Sequence, residues 1–228
     1  MYQQLIGSLL YLMLGTRPDI VFAIISMAQF ASNPSKEHFD KALYIMKYVN
    51  STLDTCIKYK AGKQGFQAYV DADWASSVDD QKSVTGYYFS LAGGAVSWVS
   101  RKQKSIALSS TEAEYMALSD TSRQACWIHN LFMELGINIG SIPLNGDNQG
   151  SIFLASNPAQ EHRTKHIDIR HHFIRFCVED KIVKLYFVES ENQLADILTK
   201  SLTFDKFWSN WKKLGFAYYP GLSSKPNA

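Results

Sequence analysis

Four acidic residues lie far apart in the chain, but at positions where an α/β sheet brings side chains together. Asp71 falls near the end of the alternating segment "FQAYVDADW", and Asp147 ends "IPLNGD" just before a helical segment. Asp196 lies early in "NQLADILTK", and Glu114 lies near the start of a long helical pattern. Hard carboxylate oxygens favour Mg²⁺ or Mn²⁺ over zinc, so the four together predict a metal site. Taken singly, Asp147 and Asp196 have an alternative role as helix caps.

The segment "ALSSTEAEYMALSD" carries two carboxylates, Glu112 and Glu114, that cannot share one face of a helix. If Ser109 is the N-cap, Glu112 falls at the third helical position and completes a capping box. Glu114 instead shares its face with a mainly apolar stripe, formed by Leu118, Thr121, Ala125, Ile128 and Phe132. An unpaired carboxylate on that stripe is costly, and a bound metal ion would remove the cost. A tilted helix end that brings Glu114 to solvent is the alternative.

Two groups of basic residues are candidates for nucleic-acid contacts. The segment "SRKQK" supplies Arg101, Lys102 and Lys104 just before the helix that carries Glu114. A predicted helix over 163–179 places Arg163, His166 and Arg170 on one face. Phosphate contacts from such groups would be sensitive to salt. On spacing alone, a solvated helix face is the better explanation of the second group. Asn148, beside Asp147, is a further candidate for nucleic-acid contacts.

Four histidines raise a rival hypothesis of a zinc site. They are His162, His166, His171 and His172. Positions i and i+4 share a helix face, but no cysteine pair accompanies them, and zinc is therefore the weaker alternative.

The elements that must position the acids follow from the hydrophobic pattern. From residue 66 the chain alternates, and "SVTGYYFSLAGGAVSWVSRKQ" predicts two strands around a Gly93-Gly94 turn. We then expect a helix over 110–136, a strand at "IPLNGD", a helix at "QGSIFLAS", and the helix over 163–179. A strand at "IVKLYFVES" and helices near 192–200 and 203–214 complete an α/β fold with a mixed sheet.

Residues 1–60 have a helical pattern instead. In "SKEHFDKALYIMKYVN" we expect Ser35 to cap a helix whose buried stripe is Phe39, Leu43, Ile45, Met46 and Val49. A short strand at "CIKYK" follows. The pattern divides the chain into a helical part over 1–60, an α/β domain over 66–200, and a C-terminal helix and tail over 201–228.

Composition limits the class of protein. The 228 residues are 46% hydrophobic, which suffices for a core, and the formal net charge of +2 does not by itself indicate a nucleic-acid binder. The three cysteines are scattered and odd in number, which favours a reducing compartment. No apolar run approaches the ~20 residues of a membrane span. The apolar N-terminus lacks a basic leading region and is expected to be a core helix rather than a signal peptide.

Several long segments resemble the ribonuclease H domain of copia-type LTR-retrotransposon Pol polyproteins. They are "YVDADWASS", "SVTGYYFSLAGGAVSWVSRKQKSIALSSTEAEYMAL", "DNQGSIFLASNP", "RTKHIDIRHHFIRF" and "ENQLADILTK". The upstream segment from "YQQLIGSLLYLM" to "ALYIMKYV" resembles the thumb and connection region of the reverse transcriptase. The resemblance covers about residues 2–216 and implies a ribonuclease H-like mixed five-stranded sheet flanked by helices.

The resemblance also implies a site and an activity. The family's Asp-Glu-Asp-Asp set, which holds two Mg²⁺ (or Mn²⁺) ions, matches Asp71, Glu114, Asp147 and Asp196. Glu112 is then left as the cap, while Asp73 shares the side-chain parity of Asp71, so spacing alone does not separate the two. The implied enzyme is a metal-dependent endoribonuclease that cuts the RNA strand of RNA/DNA hybrids, leaving a 3′-hydroxyl and a 5′-phosphate.

The implied partners are the hybrid and the palm and fingers of a reverse transcriptase, with no membrane. The implied location is intracellular, either in cytoplasmic particles or in the nucleus. One departure from the pattern is that "FVESENQLAD" has no histidine before the final acid, where many related enzymes have one. The alternatives are a catalytically idle, retrotransposon-derived binding module and, less well matched by the spacing of the acids, an integrase-like strand transferase.

Overall fold

The structure, a computed structural model, describes residues 1–62, 65–77, 80–156 and 173–220. The first part contains α1 (Tyr2–Thr16), a 3₁₀ turn (Pro18–Ile20), α2 (Val21–Ala28), α3 (Lys36–Ser51) and β1 (Thr55–Ile57). The middle contains β2 (Gln67–Asp73), β3 (Val84–Leu91), β4 (Gly94–Lys102), α4 (Ser110–Glu134), β5 (Ile142–Gly146), α5 (Gln149–Ser156), α6 (173–179) and β6 (Val183–Phe187). A 3₁₀ turn (Ser190–Asn192), α7 (Asp196–Thr199), α8 (Phe204–Lys213) and β7 (Phe216–Tyr218) follow.

The main sheet has five strands in the order β4-β3-β2-β5-β6. β2 is central and pairs antiparallel with β3, which pairs antiparallel with β4. On its other side β2 pairs parallel with β5, which pairs parallel with β6. The predicted mixed five-stranded sheet flanked by helices is confirmed.

The alternation along β2 separates two cores. Ala68, Val70 and Ala72 lie in a core that is shared with α4, α5 and α6. The opposite face of the sheet contributes Tyr88 and Ala95 to a second core, which also contains residues of α1, α2, α7 and α8. Helices therefore cover both faces of the sheet. The domain boundary near residue 60 stays a prediction, although the N-terminal helices share a core with the sheet.

Two local predictions need correction. In α3 the buried positions are Ala42 and Ile45, whereas Leu43 and Met46 are 39% and 43% exposed, so the predicted stripe was wrong at these two. The reason is that α3 turns the Ala42 face towards α1 and α2. The β3–β4 turn is formed by Ala92 and Gly93, both with positive φ, while Gly94 already pairs with Leu91. The predicted turn was therefore one residue too late.

The second sheet was not predicted in full. β1 corresponds to the expected strand at "CIKYK", but its antiparallel partner is β7, which follows α8. The pairing connects segments that are about 160 residues apart in the chain, with Ile57 opposite Phe216. Among the described residues, no helix is long and apolar enough to cross a membrane.

Candidate metal centre

Strand β2 places Asp71 in the interior, where the residue is 2% exposed. Its partner across the β2–β3 ladder is Gly86. A Cβ atom at Gly86 would lie 2.5 Å from Thr199 Cγ2 and 2.9 Å from Leu198 Cβ. The glycine therefore lets α7 pack directly on the sheet, and the Thr199 hydroxyl donates a hydrogen bond to Asp71 Oδ2.

The start of α4 fixes the different roles of Glu112 and Glu114. Ser109 is the N-cap, as predicted, and its hydroxyl accepts a hydrogen bond of 3.1 Å from the Glu112 N–H. The Glu112 carboxylate accepts from the Leu108 N–H at 2.7 Å, one residue earlier than a standard capping box. Glu114 points inward, is 6% exposed, and accepts from the Ala72 N–H at 3.2 Å.

Three of the four predicted acids converge. One carboxylate oxygen from each of Asp71, Glu114 and Asp147 lies within 4.8 Å of those of the other two. The Asp73 carboxylate is not in this group. Asp147 follows β5, and its Oδ2 accepts a hydrogen bond of 2.7 Å from Ser190. The helix that follows is capped by Asn148 instead, whose Oδ1 accepts from the Ser151 N–H at 2.8 Å. Asp147 is therefore not needed as that helix cap.

Asp196 lies beside this group, but its partners are lysines. Its side chain is 1% exposed, with Oδ1 2.6 Å from Lys200 Nζ and Oδ2 2.5 Å from Lys206 Nζ. Lys200 Nζ is also 3.6 Å from Asp71 Oδ2. Lys200 thus links Asp196 to the convergent acids. The sequence analysis missed both lysines, although the i, i+4 spacing of Asp196 and Lys200 indicated a pair.

Gln193 holds the segment that carries Asp196 against the central strand. Its side chain is fully buried, and Nε2 donates a hydrogen bond of 2.8 Å to the Val70 carbonyl. Its Oε1 accepts from the Ala195 N–H at 3.1 Å. A buried amide in "NQLAD" therefore positions the start of α7, a role that the sequence analysis did not assign.

The electrostatics of the three convergent carboxylates are unfavourable without a cation in addition to Lys200. Burial, followed by the negative charges of Asp196 and Asp147, raises the pKa of Asp71 to about 6 against the opposing effects of Lys200 and Thr199. Burial and the charges of Asp71 and Asp147 raise the pKa of Glu114 well above its usual value. Burial lowers the pKa of Lys200, but the charges of Asp71 and Asp196 outweigh it, and the net shift is upward.

This donor set fits a hard divalent ion. Three buried or half-buried carboxylates converge, and burial plus mutual repulsion raises the pKa values of two of them. A bound divalent cation would relieve the repulsion, and oxygen ligands suit Mg²⁺ or Mn²⁺.

The basic residues before α4 are already paired in part. Arg101 forms an ion pair with Asp120, which also contacts Arg123. Lys102 Nζ contacts Ser77 Oγ at 2.8 Å and Asp80 Oδ1 at 3.1 Å. Together with Lys104 they line a surface pocket of about 290 Å³. Their nucleic-acid role stays a prediction. Arg163, His166, Arg170 and all four histidines of the zinc hypothesis lie outside the described residues.

The strand order β4-β3-β2-β5-β6, with α4 and its Glu114 packed against the central strand β2, defines the fold class as ribonuclease H-like. Ribonuclease H1 from Halobacterium salinarum NRC-1 aligns with 59% of this chain and 93% of its own, with a TM-score of 0.43 and 18% identity. No family model matches the chain.

Sequence relatives match nearly the whole of this chain. The chain is 39% identical over 206 residues to a retrovirus-related Pol polyprotein from transposon TNT 1-94 of Nicotiana tabacum, covering 90% of this chain and 16% of the relative. It is 40% identical over 221 residues to one from transposon RE1 of Arabidopsis thaliana, covering 96% of this chain and 15% of the relative. The chain is therefore homologous over most of its length to a segment of retrovirus-related Pol polyproteins of plant transposons, and it spans less than one fifth of the length of these relatives.

Proposed function

We propose that the chain is a metal-dependent endonuclease of the ribonuclease H type, which cuts the RNA strand of RNA/DNA hybrids as part of a Pol polyprotein. The observation that supports this proposal is the convergence of Asp71, Glu114 and Asp147, with Asp196 beside them. The position of Asp71 on the central strand and of Glu114 on the helix packed against it gives the centre a rigid support.

The proposed ligands for one ion are Asp71, Glu114 and Asp147, and those for a second ion are Asp71 and Asp196. Bound divalent ions would supply an activated water and stabilise the leaving oxygen of a phosphodiester. The proposed reaction adds water across the P–O3′ bond of the RNA strand, so that a 5′-phosphate and a 3′-hydroxyl result.

The protein's own groups orient the carboxylates for this chemistry. Thr199 donates to Asp71 Oδ2, the Ala72 N–H to Glu114 Oε1, and Ser190 to Asp147 Oδ2. Each carboxylate therefore uses one oxygen for a protein donor and has a second oxygen to offer to an ion. Fixing the ligands in this way reduces the entropy that ordering them on binding would cost.

The proposed substrate contacts surround this centre. Discrimination of a hybrid from duplex DNA requires contacts to the 2′-hydroxyls across the minor groove, for which Ala72, Ser109 and Asn148 are the nearest candidates. We assign phosphate contacts to Arg101, Lys102 and Lys104, and on sequence grounds to Arg163, His166 and Arg170. Binding through such contacts would weaken as the salt concentration rises.

The N-terminal helices support the second proposed partner, the polymerase part of a Pol polyprotein. Tyr11 and Leu14 on α1 are 84% and 68% exposed, and Tyr44 on α3 is 74% exposed. Large exposed apolar side chains on neighbouring helices are typical of a surface that packs on another part of a protein. We propose that the palm and fingers region covers them, within an intracellular particle or the nucleus.

The test is cleavage of a hybrid with an end-labelled RNA strand by the purified chain in Mg²⁺. We expect cutting of the RNA strand, its loss on chelation, and a decrease of at least about 100-fold in Asp147→Asn. Asp205→Asn is the matched control, because it neutralises an exposed acid in the first turn of α8 and should leave the rate unchanged. Cutting that persists in Asp147→Asn would contradict the proposal. A folded chain that binds the hybrid without cutting it would favour the binding-module alternative.

A further inference from the structure

Lys200 enters the acidic centre from the surface. Its side chain is 39% exposed, whereas the side chains of Asp71 and Asp196 are 3% and 1% exposed. The ammonium group lies 2.6 Å from Asp196 Oδ1 and 3.6 Å from Asp71 Oδ2. It therefore lies beside the same pair of carboxylates to which the proposed function assigns a second divalent ion.

The two lysines at Asp196 are held differently. Lys206 makes a directed hydrogen bond of 2.5 Å to Asp196 Oδ2 and a second of 3.1 Å to the Ser190 carbonyl. The contact of Lys200 with Asp196 Oδ1 is an ion pair without hydrogen-bond geometry. Lys206 is thus fixed by two directed bonds, whereas Lys200 is held by its ion pairs with Asp196 and Asp71.

The four carboxylates differ in how many positively charged groups they contact. Both oxygens of Asp196 meet an ammonium group, while Glu114 and Asp147 meet an uncharged N–H and a hydroxyl. A divalent ion at Asp71, Glu114 and Asp147 meets converging negative charge. A divalent ion at Asp71 and Asp196 has to approach the Lys200 ammonium group. Two positive charges at such separations repel strongly in a half-buried site.

We propose that Lys200 occupies the place of the second ion and competes with that ion for Asp196 and Asp71. The inference rests on the proposed function, because it concerns the same metal centre. The free protein then binds one divalent ion well and a second one poorly. The second ion binds when Lys200 turns outward to solvent or to an anionic phosphodiester, so that occupancy of the second position is linked to the arrival of the substrate.

The test is a titration of the metal-free chain with Mn²⁺, in which electron paramagnetic resonance of the free ion gives the number and affinity of the bound ions. We expect wild type to bind one ion, with the second at least about tenfold weaker. Lys200→Met removes the charge and keeps the chain length, and it should tighten the second ion by about tenfold or more. Lys200→Arg keeps the charge and should behave as wild type, as should the control Lys212→Met on the exposed side of α8.

A second readout does not depend on ion counting. Lys200→Met should lower the melting temperature of the metal-free chain, because Asp71 and Asp196 lose a counter-charge, and Mn²⁺ should raise it more than in wild type. Two equally tight ions in wild type, with Lys200→Met unchanged, would overturn this inference and leave the proposed function intact. No bound Mn²⁺ in either protein would overturn both.

Discussion

Two buried acidic sites in this chain differ in how their charge is matched. In the N-terminal helical part, Asp19 accepts from Arg17 Nε at 2.9 Å, from Arg17 Nη2 at 2.8 Å and from the Tyr48 hydroxyl at 2.7 Å. Arg17 Nη2 also donates to Thr52 at 2.8 Å. In the metal centre, Glu114 is equally buried, but it meets a backbone N–H and two further carboxylates.

The difference teaches that burial alone does not mark a functional acid. Asp19 is 5% exposed and Glu114 is 6% exposed, yet only Asp19 has a guanidinium within reach. Asp19 has a structural role, because its bidentate ion pair with Arg17 and the hydrogen bonds to Tyr48 and Thr52 join α3 to the 3₁₀ turn. Buried acids that face one another are tolerated where one of them is protonated or where another cation completes the site.

We call the Asp19 site matched, because Arg17 balances its charge, and the group of Asp71, Glu114 and Asp147 unmatched. The largest expected effect comes from removing the counter-charge at the matched site. Arg17→Met removes the guanidinium and keeps an aliphatic chain, so Asp19 is left buried with Tyr48 as its donor. We expect the free energy of unfolding to fall by about 3–5 kcal/mol, as for other broken buried ion pairs. Urea denaturation at neutral pH measures the change.

Lys41→Met is the matched control for Arg17→Met. It removes the basic partner of Glu37 in an ion pair of 2.7 Å, but both side chains are more than half exposed. We expect little change in stability, since exposed pairs of this kind contribute little. If both variants lose the same stability, the contrast between matched and unmatched sites is wrong.

The next effect is a pH dependence of stability that arises from Asp71 in the candidate metal centre. The pKa of Asp71 is raised by burial to about 6, above its unfolded value of about 4. The protonated folded form is therefore favoured, and its stabilising contribution is complete below pH about 4 and is lost as the pH rises through about 6. The loss amounts to about 3 kcal/mol in the metal-free chain.

The measurement is the difference in unfolding free energy between wild type and Asp71→Asn across this pH range without metal. The variant should lack the Asp71 part of the decline, because its amide does not titrate. Saturating Mg²⁺ should reduce the decline in wild type, since the ion binds the ionised carboxylates. Parallel curves for wild type and Asp71→Asn would contradict the assignment.

The sequence predicted those features that local rules control. The cap at Ser109 and the place of Asp147 after β5 follow from helix phase and strand ends, and both appear in the structure. Helix phase left two directions open for Glu114, and the structure shows the inward one. Lys206, Gln193 and the β1–β7 pairing depend on contacts between distant segments, which periodicity does not encode. For the same reason Leu43 and Met46 were assigned to the wrong face of α3, because the packing of α3 on α1 and α2 selects the buried stripe.

The smallest expected effect has opposite signs at the two sites. Glu114→Gln preserves the shape and the acceptor for the Ala72 N–H, but it removes a charge that burial and two carboxylates disfavour. At pH about 8, the metal-free chain should gain about 1–2 kcal/mol in unfolding free energy, because more of the wild-type carboxyl is ionised there. Asp19→Asn, the equivalent change at the matched site, should lose stability, because it leaves Arg17 buried without its counter-charge.

Urea denaturation of both variants in the presence of a chelator gives the sign of each change in stability. The same sign for both would mean that Glu114 is a structural acid like Asp19, and a large stabilisation of Glu114→Gln by Mg²⁺ would mean that the ion does not need this ligand.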